Sequence, residues 1–369
     1  PLAALRTQPP FPASAMDGYA VRAADVKTLP ATLRVVAESA AGHGYYASFQ
    51  PGEAVRIFTG APVPEGADAI VIQEDTEAKD GAVIVKEAAP LGHYVRRAGL
   101  DFKTGDALLR AGRVLSPRDV GLCAAMNVPW LTVRRKPRIA ILATGDEVVM
   151  PGDPIGPNQI VSSNGLALAA FVTAWGGEPV QLGIAPDSEA ALLRMIEAGR
   201  GADLLVTTGG VSVGEHDLVR SALDAKGFAL DFWKIALRPG KPLMFGRFGE
   251  MPVLGLPGNP VSSVVCAVIF LRAALTAMLG IVDSGTGSQT ARLGKALPAN
   301  DHRQDYMRAT LATDGEGNLI AMPFERQDSS MMATLARADC LLVRPPHAPA
   351  APAGAPVQII PLEGSLIRG

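Results

Sequence analysis

The sequence predicts an α/β protein with added β regions: a connector, a small mainly-β domain, a central α/β sandwich domain with a mostly parallel sheet, and a C-terminal β-barrel-like domain. Residues 40–110 are rich in glycine, proline and short β-branched runs, which is typical of a small β unit. From Pro137, apolar runs alternate with longer helical stretches, as in a sheet covered on both faces. From about residue 285, short strands alternate with turns, which favours a small barrel.

The central region has the clearest alternation of elements. Its predicted strands are Ile139–Ala143, Val180–Ile184, Leu204–Thr207 and Val253–Leu256, and its predicted helices are Gly165–Trp175, Glu189–Ala198, Asp217–Lys226 and Val261–Leu279. Sheets of this kind bind ligands beyond the carboxyl ends of their parallel strands. The loops that follow residues 143, 207 and 256 are therefore the first places to look for a site.

The regions on either side are predicted to be β. The small domain has its clearest strands at Ala69–Ile72 and Ala82–Val85. The predicted strands of the last region are Ala291–Leu297, Tyr306–Thr313, Leu319–Pro323, Cys340–Arg344 and Val357–Pro361. The predicted domains are residues 1–14 with 106–136 for the connector, 15–105 for the small domain, 137–284 for the α/β domain, and 285–369.

The composition is globular and carries no strong charge bias. Of 369 residues, 48% are hydrophobic and 19% are charged, and the formal net charge of -2 argues against nucleic-acid and anionic-membrane partners. The cysteines are far apart in the chain, which indicates a reducing, cytoplasmic compartment. The longest apolar stretch, Val261–Leu279, is interrupted by Arg272 and predicts a buried helix with no membrane span.

Three glycine-containing loops follow predicted strands of the α/β region, at Thr144–Glu147, Thr207–Asp217 and Leu256–Ser263. Glycine lets backbone N–H groups approach a ligand, and a helix that begins nearby favours an anion. Ordinary strand-to-helix turns are the alternative, but three such loops at one sheet edge favour a phosphate site. The candidate binding residues are Thr144, Gly145, Gly209, Gly210, Ser212, Gly214, Pro257, Gly258, Asn259 and Ser262.

These loops differ from the common nucleotide-binding motifs. Neither the Walker pattern nor the dinucleotide-binding glycine pattern occurs, which argues against a P-loop or a Rossmann enzyme. In the third loop, Asn259 suits the N-cap of a helix and Pro260 suits its first position. The sequence thus predicts anion binding by local backbone geometry.

Three cations lie close together at Lys234, Arg238 and Lys241. On one extended strand, Lys234 and Arg238 would share a face because their spacing is even, and a type II turn at Pro239-Gly240 would bring Lys241 back. The three side chains would then converge on phosphate oxygens. Solvated surface charge is the alternative.

Acidic residues occur in the same loops at Glu147, Asp187 and Asp217. Carboxylates beside phosphates repel them unless a hard cation intervenes, and Mg²⁺ bound by one or two carboxylates plus phosphate oxygens fits that need. Asp217 could instead begin a helix, and Asp187 could cap the helix that follows it. Nucleophilic triads are not apparent, which argues against covalent catalysis.

Two further motifs, Ser14–Ala20 and Arg56–Pro64, place small polar residues beside glycine. Local chemistry alone predicts turns there, with Asp17 able to accept a hydrogen bond from nearby backbone.

Together these motifs resemble, in order, those of the molybdopterin molybdenumtransferase family, the MoeA-type proteins that include the C-terminal domain of gephyrin. The matching segments are Ser14–Ala20, Arg56–Pro64, Thr144–Glu147, Gly209–Asp217, Pro239–Pro242 and Leu256–Pro260. The resemblance implies an α/β domain of the molybdopterin-binding type and a homodimer formed through the connector domain. It also implies a cleft between the α/β domain of one protomer and the small β domain of the other.

The resemblance implies an activity as well: transfer of molybdenum from molybdate to adenylylated molybdopterin, with release of AMP and with Mg²⁺ as cofactor. Glu147 and Asp217 are the leading metal or general-base candidates, with Asp187 as a further metal ligand. The other residues that the resemblance places at the site are Asp17, Thr59, Asp101, Lys234, Arg238, Lys241 and, by position, Arg308 and Ser329.

The sequence departs from the family pattern in three places. The usual Gly-Glu-Asp run is Gly99-Leu100-Asp101, the usual Asp-Ser-Asn run is Ser162-Ser163-Asn164, and Arg238 stands where lysine is frequent. A paralogue that prefers tungstate is therefore one alternative. The others are a non-catalytic scaffold that binds a receptor peptide, and the preceding adenylyltransferase, which is otherwise a candidate partner.

Overall fold

The computed structural model describes residues 1–47, 49–210, 228–282 and 287–362. The chain forms two compact units, residues 1–132 and residues 133–369. The predicted helix Asp217–Lys226 lies outside the described residues, as do the site candidates Ser212, Gly214 and Asp217.

The first unit is mainly β. Its elements are β1 (Leu2–Ala3), β2 (Ala13–Ser14), β3 (Gly18–Val21), β4 (Ala31–Ser39), β5 (Glu53–Ile57), β6 (Ala69–Ile72), β7 (Thr76–Lys79), β8 (Ala82–Val85), β9 (Val95–Arg96), β10 (Ala107–Leu109) and α1 (Pro117–Ala125). The main sheet has the order β6-β3-β5-β4-β8-β7, and β1 pairs with β10. The strands predicted at Ala69–Ile72 and Ala82–Val85 are confirmed as β6 and β8.

Alternating burial and helix capping account for these elements. The first residues of β4 alternate between buried and exposed, which places Ala31 and Leu33 in a core with Val71 and Val85. At α1, Ser116 and Asp119 form a reciprocal capping box. Hydrogen bonds from Ser116 lower the pKa of Asp119 to about 2.

The second unit contains the α/β sheet and the barrel. Its elements before residue 283 are β11 (Arg138–Thr144), β12 (Val148–Val149), β13 (Ile160–Val161), α2 (Asn164–Ala174), β14 (Glu178–Ala185), α3 (Glu189–Ala198), β15 (Leu204–Thr208), β16 (Phe228–Trp233), β17 (Leu237–Arg238), β18 (Met244–Phe248), β19 (Met251–Leu256) and α4 (Pro260–Met278). The sheet order is β14-β11-β15-β19-β18-β16. The first four of these strands are mutually parallel, and each predicted strand of this region is confirmed.

Two strands were not predicted. Strands β18 and β16 extend the sheet with antiparallel pairing. Half of β16 is exposed at the sheet edge, and Gly246 and Arg247 interrupt the apolar run of β18. Neither strand therefore has a strong hydrophobic period, which explains why the sequence pattern missed them.

Helix α4 corresponds to the long apolar stretch of the sequence. It contains a π-helical turn at Ala267–Leu271, and by length and composition alone it could cross a membrane. However, 56% of its most apolar window is buried inside the fold. Val261, Val265 and Leu271 are fully buried in the same core cluster as strands of the α/β sheet and barrel. The prediction of a core helix is confirmed.

The C-terminal region is a closed barrel with one short helix. Its elements are β20 (Gln289–Leu293), β21 (Gln304–Thr313), β22 (Leu319–Pro323), α5 (Met332–Ala336), β23 (Cys340–Arg344) and β24 (Pro356–Pro361). The order β21-β22-β20-β24-β23 closes because β21 also pairs with β23. Strand β17 joins this barrel through β21, and the predicted fold class is confirmed.

Candidate active site

The candidate site lies at the carboxyl edge of the α/β sheet. The parallel register aligns Thr144 with Ala185, and Thr208 with Leu256, so these strands end at one level. Thr144, Thr208 and Pro257 are buried, whereas Asp146 and Glu147 beyond the strand end are exposed. Buried strand ends therefore support a row of accessible loops, as the sequence predicted.

Contacts through glycine hold these loops together. Gly209 has φ +88°, and a Cβ atom at this position would lie 2.5 Å from the backbone oxygen of Thr144. A Cβ atom on Gly258 would lie 3.4 Å from the Cα atom of Gly209. The three predicted glycine loops therefore touch one another, and only glycine at position 209 permits their approach.

Asn164 adds hydrogen bonds between two of the loops. Its Nδ2 atom lies 2.8 Å from Thr208 Oγ1 and 2.7 Å from the carbonyl oxygen of Gly258. The hydroxyl of Thr144 is buried at the same edge and has no hydrogen-bond partner among the described residues. A buried, unpartnered hydroxyl beside converging glycine loops suits a polar ligand group.

Carboxylates join the first loop to the end of β14. The amide of Asp187 donates to Asp146 Oδ1 at 3.0 Å, and the amide of Asp146 lies 3.5 Å from Asp187 Oδ2. The carboxylate of Glu147 folds back against the Cα atom of Gly145. Ser188 caps α3, so the alternative that Asp187 is the capping residue is wrong. Sequence reasoning missed Asp146, although an acid directly after a strand end and a glycine was a usable signal.

The acidic pair suits a cation that is shared with a ligand. Within residues 1–47, 49–210, 228–282 and 287–362, no three His, Cys, Asp or Glu side chains are grouped as a complete metal site. Mg²⁺ commonly takes one or two carboxylates and completes its shell with phosphate oxygens and water. Asp146 and Asp187 fit that donor set.

The expected arrangement of the cations is wrong. Strand β16 ends at Trp233, and Lys234 has φ +62°, so Lys234 and Arg238 do not lie on one extended strand. Lys234 Nζ lies 3.7 Å from the centroid of the Trp233 ring. The carbonyl oxygen of Lys241 accepts from Ile235 N at 3.0 Å, which keeps the exposed residues Lys234 and Lys241 near each other.

Arg238 is bound to the barrel. It forms ion pairs with Asp305 and, at 3.2 Å, with Asp301. Hydrogen bonds from Arg303, together with the charges of Arg238 and Arg303, hold the pKa of Asp301 well below its usual range. Arg238 thus has a structural partner set in addition to its predicted ligand-binding role.

Two barrel residues predicted by position have different settings. The Asn259 side chain donates to Ser329 Oγ at 2.8 Å, and Val261 N donates to the Ser329 carbonyl at 3.0 Å, so Ser329 contacts the third glycine loop. Asn259 is the N-cap residue, as predicted, but its side chain binds Ser329 and makes no capping bond. Arg308 is buried, which lowers its pKa, and its Nη2 atom has no partner among the described residues.

In the first unit, the structure brings the two predicted turn motifs together. Strands β3 and β5 pair, and Asp17 Oδ1 accepts from Thr59 N at 2.7 Å and from Thr59 Oγ1 at 2.8 Å. These hydrogen bonds lower the pKa of Asp17 below its ordinary value of 3.8. Asp101 is exposed, its amide donates to Gln8, and no hydrogen bond joins it to this pair within the described residues.

Comparison with known proteins covers nearly the whole chain. Family models match in three consecutive segments: the MoeA N-terminal region (domain I and II) at residues 1–127, a probable molybdopterin binding domain at residues 140–277, and the MoeA C-terminal region (domain IV) at residues 290–362. Two crystal structures of the molybdopterin biosynthesis MoeA protein from Pyrococcus horikoshii superpose with TM-scores of 0.85 and 0.82. They are 31% and 26% identical in sequence and cover 98% and 97% of this chain, which spans 90% and 89% of theirs.

Curated relatives agree with these matches. The molybdopterin molybdenumtransferase of Haemophilus influenzae is 34% identical over 342 residues, which is 91% of this chain and 83% of that protein. The molybdopterin molybdenumtransferase of Nostoc sp. is 40% identical over 276 residues, which is 73% of this chain but only 63% of that protein. This chain therefore belongs to the molybdopterin molybdenumtransferases, an enzyme family of molybdenum cofactor biosynthesis.

Proposed function

We propose that this chain transfers molybdenum from molybdate to adenylylated molybdopterin and releases AMP, with Mg²⁺ as cofactor. The observation that carries the proposal is the contact of three glycine loops at one sheet edge, beside the exposed acids Asp146, Glu147 and Asp187. Such an edge offers backbone donors to phosphate and carboxylates to a cation.

Each group at the edge has a task in this proposal. Backbone amides of the glycine loops bind and orient the phosphate groups, and the Thr144 hydroxyl donates to one of their oxygens. Lys234 and Lys241 neutralise the charge that develops as the phosphoanhydride breaks, and they attract molybdate, which is a substrate. Glu147 accepts a proton at its carboxylate. When bound by Asp146 and Asp187, Mg²⁺ supplies further charge neutralisation at the phosphates.

The proposal extends to assembly and setting. It includes a homodimer, to which Asp17, Thr59 and Asp101 contribute through the small β domain, and a cytoplasmic location. It also includes transfer of substrate from the adenylyltransferase that makes adenylylated molybdopterin. Sedimentation analysis of the purified chain tests the dimer, and co-purification with that adenylyltransferase tests the partner.

The experiment is AMP release from adenylylated molybdopterin with Mg²⁺ and molybdate. We expect AMP release that depends on molybdate, and Glu147→Ala is expected to lower its rate at least about 100-fold because a positioned acid–base group contributes that much. Glu250→Ala is the matched control, since Glu250 is an exposed acid in the turn before β19, at the opposite edge of the sheet.

The other outcomes identify the alternatives. Faster AMP release with tungstate than with molybdate would indicate the tungstate-preferring paralogue. Consumption of ATP with molybdopterin alone would indicate the adenylyltransferase. A folded wild-type chain that releases no AMP under any of these conditions contradicts the proposed activity and leaves the scaffold role.

A further inference from the structure

The side chain of Asn164 connects three separate elements. Asn164 is the first residue of α2, Thr208 ends β15, and Gly258 follows β19. The amide nitrogen of Asn164 reaches the other two residues at 2.8 and 2.7 Å. One small side chain therefore determines how the second and third glycine loops are spaced.

Only one arrangement of hydrogens satisfies this group. The Gly258 carbonyl only accepts, so the Asn164 atom beside it is the nitrogen, and its other hydrogen points to Thr208 Oγ1. The Pro257 carbonyl, 3.2 Å from Thr208 Oγ1, also only accepts, so the Thr208 hydroxyl donates to it. The hydrogen bonds run in one direction, from Asn164 through Thr208 to Pro257.

The surroundings leave this chain of hydrogen bonds little freedom. Thr208 is 2% exposed, and Ser263, 3.4 Å from its hydroxyl, is fully buried. Hydrogen bonds shielded from water in this way are stronger and more costly to break than exposed ones. Because Gly258 also packs against Gly209, and Gly209 against Thr144, a displaced Gly258 would move all three loops.

We infer that Asn164 and Thr208 are positioning residues that hold the glycine loops at the spacing required by the substrate phosphates. The inference rests on the proposed function, because it assigns the phosphates to these loops. Both residues act through the backbone amides of the loops, and neither needs to touch the reacting atoms.

The test compares variants that break or keep the hydroxyl relay. Asn164→Ala and Thr208→Val are expected to lower kcat for AMP release about 10- to 100-fold, as small misplacements of binding groups do. Thr208→Ser keeps the hydroxyl and is expected to stay within about twofold of the wild type. The double variant Asn164→Ala/Thr208→Val is expected to be no slower than the slower single variant, since both changes break one relay.

Gln181→Ala is the matched control. Gln181 also donates from a side-chain amide to a backbone carbonyl in the first turn of α2, at Gly165, with a distance of 3.0 Å. It is remote from the glycine loops in sequence and is exposed. We expect wild-type kcat in this variant, so a loss equal to that of Asn164→Ala would overturn the inference.

Hydrogen exchange provides a readout that does not depend on activity. Peptides spanning residues 204–210 and 256–263 are expected to exchange faster in Asn164→Ala and Thr208→Val, but not in Thr208→Ser or Gln181→Ala. If the wild type releases no AMP, the proposed function fails and exchange alone decides the positioning role. Unchanged exchange in Thr208→Val, or independent and multiplicative losses of kcat in the double variant, would refute it.

Discussion

The edge of the α/β sheet and the turn around Asp17 both present carboxylates, but they hold them in different ways. At the edge, Asp146 accepts from the amide of Asp187, and the adjoining loops meet through glycine. In the turn, one residue, Thr59, directs both its amide and its hydroxyl at a single oxygen of Asp17. The first arrangement is made by backbone and the second largely by one side chain.

This difference predicts opposite sensitivities. The edge closes because Gly209 has no Cβ atom, so it should fail when atoms are added. The turn depends on donors that Thr59 supplies, so it should fail when atoms are removed. Substitutions that add an atom at one site and remove one at the other can separate the two cases.

The largest effect is expected for Gly209→Ala. The new Cβ atom would lie 2.5 Å from the Thr144 backbone oxygen, and the backbone would remain at φ +88°. The left-handed conformation alone costs about 1–2 kcal/mol, and displacement of the loops should lower kcat for AMP release more than about 100-fold. Steady-state kinetics and thermal unfolding measure the two parts.

Gly201→Ala isolates the contribution of the backbone conformation. Gly201 has φ +91°, but a Cβ atom there would have no neighbour within 4 Å. This control should lose stability comparable to the left-handed penalty and keep its turnover. Equal turnover in Gly209→Ala and Gly201→Ala would show that contact between the loops is unimportant.

The sequence predicted the location of the edge but not what holds it together. Hydrophobic periodicity identified the parallel strands, and the rule for parallel sheets then identified the loops that follow them. The contacts of Asn164 lie 44 and 94 residues away along the chain, and no local pattern specifies them. Long-range hydrogen bonds of this kind become visible only when strand order and register are known.

The cation prediction failed for a related reason. Even spacing placed Lys234 and Arg238 on one face of one strand, which assumes that the strand continues. In the structure the chain leaves the α/β sheet after Trp233 and joins the barrel at Leu237. Nothing about lysine signals the φ of +62° that begins this change of sheet.

An intermediate effect is expected for Asp146→Asn. Asparagine keeps an oxygen that accepts from Asp187 N, so the loop and its stability should be retained. The lost charge should raise the Mg²⁺ concentration for half-maximal AMP release roughly tenfold, as changes beside a metal site do. Asp153→Asn, an exposed acid farther along the same segment, should leave that concentration unchanged. An unaltered Mg²⁺ requirement in Asp146→Asn would remove Asp146 from the cation site.

The smallest effect is expected in the turn, for Thr59→Val. Valine removes the hydroxyl donor and keeps the backbone N–H, which is the larger cause of the lowered pKa, so the pKa of Asp17 should rise only part of the way to 3.8. Because a lowered pKa stabilises the fold above the unfolded-state value and is lost as pH falls through the folded value, the wild type should exceed the variant in stability by a constant amount above about pH 5. That difference should shrink below pH 4, as roughly expected for a carboxyl group that becomes protonated.

Carboxyl-detected NMR titration and unfolding at several pH values measure these two quantities. Thr59→Ser keeps both donors and should match the wild type in each. If Thr59→Ser instead raised the pKa of Asp17 as much as Thr59→Val, the methyl group would be the important part of Thr59. Asp17 would then be held by packing of its neighbour, as the loops of the sheet edge are, and the contrast between the two regions would disappear.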